Sequence, residues 1–278
     1  MPRAGRCRTE VVAVPVVAVS VLVASACGGT PPDDGYRVTS QTVSDETTQT
    51  ISVFAPDTDG SWSVVLAYHG NEGERADMAL LGERVAAAGA VVFAPDYRSG
   101  DFSESGLIET VTDVECAYRY VRGIAADHGG DLQRPVVWVG WSLGAVWAVQ
   151  GGLDETVDDT GTILPCPSDA PRPDVIIAVA GCFEEVGPGF DPDQWGNPDA
   201  RLILVAGEAD TVCPAAESQR VTEELRARDY DVRLVMLEGA DHFAPVFHRE
   251  ENGRLVDAPD EPAGQEVLRL ITDALRDP

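Results

Sequence analysis

The 278-residue sequence contains no lysine. All 20 of its basic residues are arginine, against 47 acidic ones, and the formal net charge is −27. A surface of that sign repels phosphate backbones and anionic headgroups, which excludes nucleic acid as a partner and leaves the substrate unspecified. Histidine is scarce, at four residues. No His/Cys group has the spacing of a zinc site, so neither a metal nor an organic cofactor is expected. There is no internal repeat, and no second domain can be marked off. No apolar run reaches a comfortable membrane span: the stretch from Val11 to Val23 is short and is broken by Pro15. What the chain has in quantity is apolar side chain, 44% of its residues, enough to bury a core and to exclude wholesale disorder.

The first residues read as a leader. Arg3, Arg6 and Arg8 precede the apolar centre, and "ASAC" follows it, with Ala24 and Ala26 meeting the small-x-small rule for an export signal. Cys27, directly after them, stands where bacterial lipoproteins carry their lipidated cysteine, although Ala24 replaces the more usual Leu. The expected organisation is a signal peptide over 1–26, a Gly/Pro/Asp tether over 27–35, and one folded domain over 36–278. Cys27 would be the lipid attachment point, making the product a membrane-associated, cell-surface lipoprotein, or otherwise a secreted protein.

Beyond the tether, "YRVTSQTV" and "TTQTISVFAP" alternate and are rich in Thr and Val, which predicts two antiparallel strands. The pattern then changes. "WSVVLAYHG", "AVVFAPD", "PVVWVG", "DVIIAVAG", "RLILVAG" and "DVRLVML" are short β-branched runs with little alternation, as strands buried on both faces require. Helical periodicity fills the gaps: Arg75 to Ala88, Ile108 to His128, Pro214 to Arg228 and Gly264 to Arg276. Strands alternating with helices predict a doubly wound α/β sheet, with chemistry gathered beyond the carboxyl ends of the strands.

One strand runs into Gly140-Trp141-Ser142-Leu143-Gly144 and then into another apolar run. A serine on a tight strand-to-helix turn exposes its hydroxyl, and glycines two before and two after relieve the crowding. Such a hydroxyl needs a base, and the base needs an orienting acid. Among His69, His128, His242 and His248, only His242 lies downstream and immediately past a strand; His248 falls in a polar loop. The acid between them is Asp210 in "GEADTVCP", with Glu208 in reserve. The order Ser142, Asp210, His242 differs from the orders of the chymotrypsin and subtilisin types. For a developing oxyanion, the Leu143 N–H is one donor and the Asn71 N–H, in "YHGNEG", the other.

With these residues in place, the chain resembles the α/β-hydrolase superfamily, and within it serine esterases of the dienelactone-hydrolase and lipase-like branch. The resemblance spans residues 36–278 and rests on "YHGNEG", "FAPDYRSG", "GGDLQRPVVWVGWSLGA", "LILVAGEADTVCP" and "LEGADHF". It implies an eight-stranded, mostly parallel sheet without a large cap, and hydrolysis of a carboxylic ester through an acyl-serine. Dienelactone hydrolases proper carry cysteine at the elbow, where this chain has Ser142. Tyr97 and Arg98 in "PDYR" are given no catalytic role. Four cysteines remain beyond the leader and Cys27 of the tether, an even number that suits disulfides in an exported chain. The preferred pairing is Cys182–Cys213, both past strand ends near Asp210, with Cys116–Cys166 as the other pair. The alternatives are a peptidase or amidase using the same triad, and, in a different class, a surface binding module that has lost catalysis.

Overall fold

The computed structural model describes residues 35–42, 50–153, 172–184, 196–197 and 199–278. The two Thr/Val-rich segments form β1 (Tyr36–Thr42) and β2 (Thr50–Pro56), paired antiparallel with Tyr36 opposite Pro56. The β-branched runs form β3 (Ser63–Tyr68), β4 (Ala90–Pro95), β5 (Val136–Trp141), β6 (Val175–Val179), β7 (Arg201–Gly207) and β8 (Val232–Leu237). All these lie in one eight-stranded sheet of order β1-β2-β4-β3-β5-β6-β7-β8. The pairings from β4 through β8 are parallel, and β2 joins β4 antiparallel. This is the mixed, mostly parallel sheet of the α/β-hydrolase fold expected from the sequence, and no large cap domain stands over it among the described residues.

The lack of alternation in the central strands has its cause in helices on both faces. β3, β4, β5 and β6 are buried at every position. Val64, Leu66, Tyr68, Trp138 and Ile176 pack on one face against α2 (Glu104–Ile124), α3 (Leu143–Leu153) and α4 (Ala215–Ala227). Val65, Ala67, Val139, Ile177 and Val205 pack on the other against α1 (Ala79–Ala87) and α5 (Pro262–Ala274). At the sheet edge β8 is buried only at its two ends, Val232 and Leu237, and the exposed Val38 marks the opposite edge in β1. α3 is buried at every residue except Gly151, so its apolar character all round is that of a core helix.

Helix limits shift slightly from the sequence reading, for local reasons. α2 begins at Glu104 because the Ser103 side chain caps it, accepting from the Gly106 N–H. α5 begins at Pro262, whose missing N–H costs nothing in the first turn. A larger difference is the two-stranded hairpin β9 (His248–Glu251) and β10 (Arg254–Asp257), where the sequence reading had only a polar loop. Its turn is Asn252-Gly253, both at positive φ (54° and 75°), the conformation a tight hairpin demands.

The membrane assignment is corrected here. Among the described residues no helix is long and apolar enough to cross a membrane. The longest, α2 at 21 residues, carries Glu109, Asp113, Arg119 and Arg122. The leader, Cys27 and nearly all of the tether lie outside the described residues.

The strand order also places the site. From β3 the chain goes one way, through α1, to β4, and then crosses to β5 on the other side of β3. The loops that leave β3 and β5 therefore part toward opposite faces of the sheet. They open a crevice between them, at the carboxyl ends of the strands.

Candidate active site

Ser142 is the single residue between the end of β5 and the start of α3, and it sits at φ 58°. A non-glycine residue in the left-handed region costs roughly 1–2 kcal/mol, so the surroundings must hold it there. Both flanking glycines are required by close approach. A Cβ on Gly140 would stand 2.0 Å from the Gly144 carbonyl oxygen, and one on Gly144 would stand 2.4 Å from the carbonyl oxygens of Tyr68 and His69. The turn therefore closes on itself and against the end of β3 only because both positions lack side chains. The Ser142 N–H donates to the Val179 carbonyl at 2.9 Å, which ties the elbow to β6.

The loop after β7 supplies the acid. Asp210 Oδ1 accepts from the N–H groups of Val212 (2.9 Å) and Cys213 (2.8 Å). That fixes the carboxylate and leaves Oδ2 facing His242 Nδ1 at 2.8 Å. A carboxylate only accepts, so Nδ1 carries the proton and Nε2 presents its lone pair to Ser142 Oγ, 3.0 Å away. All three residues are buried, at 6% (Ser142), 7% (Asp210) and 4% (His242) exposure, where poor screening strengthens the relay. Glu208, the reserve acid, is exposed on the same loop and is not part of this arrangement.

His242 is held from both sides. Its carbonyl accepts from Trp141 Nε1–H at 2.8 Å, and its ring lies edge-on to Phe243 with centroids 5.2 Å apart. Asp241 Oδ1 accepts from the N–H groups of Phe243 and Ala244, which turns the chain directly after the imidazole.

The two candidate oxyanion donors flank the same space. Leu143 is the first residue of α3, so its N–H has no intrahelical acceptor. Asn71 sits in the loop after β3, and its N–H has no protein acceptor among the described residues. Together with Gly70, Trp141, Ser142 and His242, Asn71 lines a cleft of about 650 Å³. Apolar Val212, Phe243 and Leu255 form part of its wall, and Glu72, Glu74 and Asp77 its rim.

A disulfide joins Cys182 to Cys213. It links the loop after β6 to the acid loop, and Cys182 Sγ lies 3.4 Å from Ser142 Oγ. Cys116 is also disulfide-bonded, and Cys166, its expected partner, lies outside the described residues. Cys182, Cys213 and His242 bring donor atoms within 4.8 Å of one another. As a metal set they are compromised, since the sulfurs are bonded to each other and both imidazole nitrogens have partners.

The other histidines have separate places. His128 closes the short helical turn after α2. His248 is buried at the start of β9 and donates through Nε2 to the Asp77 carbonyl at 2.7 Å, which fastens the hairpin beside the cleft. His69 is fully buried beneath the Asn71 loop, stacked on Tyr97 with ring centroids 4.1 Å apart. Burial holds its pKa below the ordinary imidazole value and pushes the Tyr97 hydroxyl far above the usual phenol range. Arg98, next to it, forms a paired contact with Asp113 of α2, at 2.8 and 2.9 Å. Leu255 of the hairpin was missed from sequence, and Asn252-Gly253 was the signal that could have found its element. Trp141 has no role assigned from the sequence; its bond to the His242 carbonyl is visible only in the fold.

No protein-family model matches the sequence, and no curated protein matches it. Solved structures do match. The thermophilic esterase Est2 of the planctomycete Thermogutta terrifontis, in its propionate-bound form, superposes with a TM-score of 0.65 at 21% identity, over 89% of this chain and 96% of that one. Its butyrate-bound form gives 0.66 at 21% identity over the same shares. The form phosphoramylated by tabun gives 0.65 at 20% identity, again over 89% and 96%. At that identity the likeness is one of fold, and it establishes that this chain has the α/β-hydrolase fold along nearly its whole described length.

Proposed function

We propose that this protein is an exported serine hydrolase that cleaves carboxylic esters of short acyl chains. The observation that carries the reading is the continuous buried relay from Asp210 through His242 to Ser142, with steps of 2.8 and 3.0 Å, ending at an open cleft. Ser142 Oγ attacks the ester carbonyl while His242 Nε2 takes its proton. Asp210 holds the tautomer and stabilises the imidazolium. The carbonyl oxygen, now an oxyanion, takes hydrogen bonds from the Leu143 and Asn71 N–H groups. His242 returns the proton to the leaving alcohol, and an acyl group remains on Ser142. Water then attacks the acyl carbon while His242 takes its proton; the bond to Ser142 Oγ breaks as His242 returns that proton to Oγ, and the carboxylic acid departs.

Two features of the neighbouring structures support the chemistry. Thermogutta esterase 2 has been solved with propionate and with butyrate, and as adducts phosphoramylated by tabun and phosphorylated by paraoxon. With serine at the elbow, the chain stands nearer to lipase-like esterases than to dienelactone hydrolases. The leader pattern of residues 1–26 and the oxidised cysteines support export.

A series of p-nitrophenyl esters from acetate to decanoate tests the reading, together with paraoxon labelling and peptide mass analysis. Turnover greatest on the short esters and a single adduct on Ser142 are expected, both lost in Ser142→Ala. A folded wild-type protein that neither turns over any ester nor takes the label would overturn the proposal.

A further inference from the structure

We infer that His69 is a positioning residue for the oxyanion site, setting the direction of the Asn71 N–H by holding the other end of the same peptide unit. This rests on the reading of Asn71 N–H as an oxyanion donor.

The argument starts from the Gly70 carbonyl. It accepts from His69 Nδ1–H at 2.7 Å and from the Gly73 N–H at 3.2 Å. The amide joining Gly70 to Asn71 is trans, since the described chain contains no cis peptide, so its C=O and N–H point in opposite directions. Pinning the carbonyl therefore aims the N–H. The imidazole is fully buried, while Gly70 and Asn71 line the cleft. A carbonyl drawn down toward the ring sends the Asn71 N–H up into the cleft. That N–H finds no protein acceptor among the described residues. It is a donor held ready for an atom that arrives with the substrate.

Tyr97 holds both the imidazole and the backbone of His69. Tyr97 stacks on the ring, with planes 13° apart. The Tyr97 N–H points at Nε2 from 3.4 Å, which requires an unprotonated Nε2 and so places the proton on Nδ1, where the Gly70 carbonyl needs it. The Tyr97 hydroxyl donates to the His69 carbonyl. Burial keeps the ring neutral, which preserves this single tautomer. Asp96, Asp77 and Glu74 face the ring electrostatically and oppose that effect without cancelling it. Tyr97, which the sequence reading left without a role, thus acts through His69. Thermal motion of an unpinned peptide would leave the donor misaligned for part of the time, and the loss would fall on the transition state, where the oxyanion exists.

The test compares His69→Leu with His69→Asn. Asparagine places a side-chain N–H close to the position of imidazole Nδ1, whereas leucine fills the space without a donor. Loss of one oxyanion donor lowers kcat on the order of 100- to 1000-fold. Misalignment by His69→Leu is expected to lower kcat by about 10- to 100-fold, a part of that range. KM for p-nitrophenyl butyrate stays within about twofold, while affinity for a trifluoromethyl ketone falls by the same factor as kcat/KM. His69→Asn is expected to recover most of the loss. A folded His69→Leu protein with wild-type kcat and wild-type ketone affinity overturns the inference, as does a loss shared equally by the leucine and asparagine variants. Should His69→Leu not fold, nitrogen NMR of the wild-type imidazoles decides: a proton on Nε2 of His69 at neutral pH overturns the inference. These outcomes separate from the reading beneath them, because a wild-type protein without esterase turnover and without Ser142 labelling removes that reading whatever the tautomer of His69.

Discussion

The indole of Trp141 donates its Nε1–H to the carbonyl oxygen of His242 at 2.8 Å. The residue before the nucleophile therefore fixes the backbone of the base, so that the elbow and the last loop cannot drift apart independently. Trp141→Phe keeps most of the ring packing and removes the bond. A buried hydrogen bond of this kind contributes about 1 kcal/mol, and its loss leaves the His242 carbonyl unpaired. We expect kcat on p-nitrophenyl butyrate to fall roughly 5- to 30-fold with little change in KM. Unchanged steady-state constants in a folded variant would show that the base is positioned without this bond.

The glycines of the chain divide by what surrounds them. A Cβ at Gly144 would stand 2.4 Å from two carbonyl oxygens, whereas nothing lies within 4 Å of one at Gly123, which is exposed in the last turn of α2. Gly144→Ala is expected to destabilise by several kcal/mol or to prevent folding, because the backbone of α3 must move away from β3. Gly123→Ala is expected to stabilise by about 0.5–1 kcal/mol through backbone entropy alone. Urea unfolding of the two variants checks both signs.

The Cys182–Cys213 bridge closes 31 residues of sequence separation. Chain entropy assigns about 3–4 kcal/mol to a loop of that size. Its removal also loosens the turn whose Val212 and Cys213 N–H groups orient Asp210. The double variant Cys182→Ala/Cys213→Ala is expected to lose that order of stability and to lose activity at temperatures well below its own melting point. If activity instead persists up to the transition, the bridge stabilises the fold without ordering the acid.

The buried His69 also makes stability depend on pH. Its folded pKa lies below the ordinary value near 6.5, so between those two values the unfolded chain binds a proton that the folded chain does not. Stability therefore falls as pH drops from about 6.5 toward the folded value, and is unaffected by this group above 6.5. His128 acts in the same direction, again chiefly through burial, so the comparison must be with a variant. The stability difference between wild type and His69→Asn is expected to shift in favour of the variant between pH 7.5 and pH 5.5, as measured by urea titration. Parallel curves at the two pH values would contradict it.

Leu255, 38% exposed, reaches the cleft wall from the β9–β10 hairpin, near the exposed Val212. An apolar wall at the mouth favours the outer methylenes of longer acyl groups, at about 0.8 kcal/mol for each one buried. Leu255→Asn is therefore expected to lower kcat/KM for octanoate more than for acetate, by several-fold. Equal losses on both esters would place the acyl chain elsewhere.

The sequence by itself determined the elements and their order. Unbroken β-branched runs follow from strands covered on both faces, and the first antiparallel pair stood apart from them by its alternation and its threonines. The G-x-S-x-G turn, Asp210 and His242 were also legible, because each lies just beyond the end of a strand, and strand ends can be read from local composition. The hairpin at His248 escaped because four-residue strands carry too little periodicity to outweigh their polar composition. The only cue there was Asn252-Gly253. Tertiary structure alone decided that Gly144 must be glycine, since the atoms that exclude a side chain belong to Tyr68 and His69. It also gives the reason that Asp210 rather than Glu208 serves: the Val212 and Cys213 amides and His242 meet the carboxylate of one and leave the other in solvent. The parts of Trp141 and Tyr97 belong to the same category. Their neighbours in sequence say nothing of partners 101 and 28 residues away, and only the packing of one strand end against another brings those groups into contact.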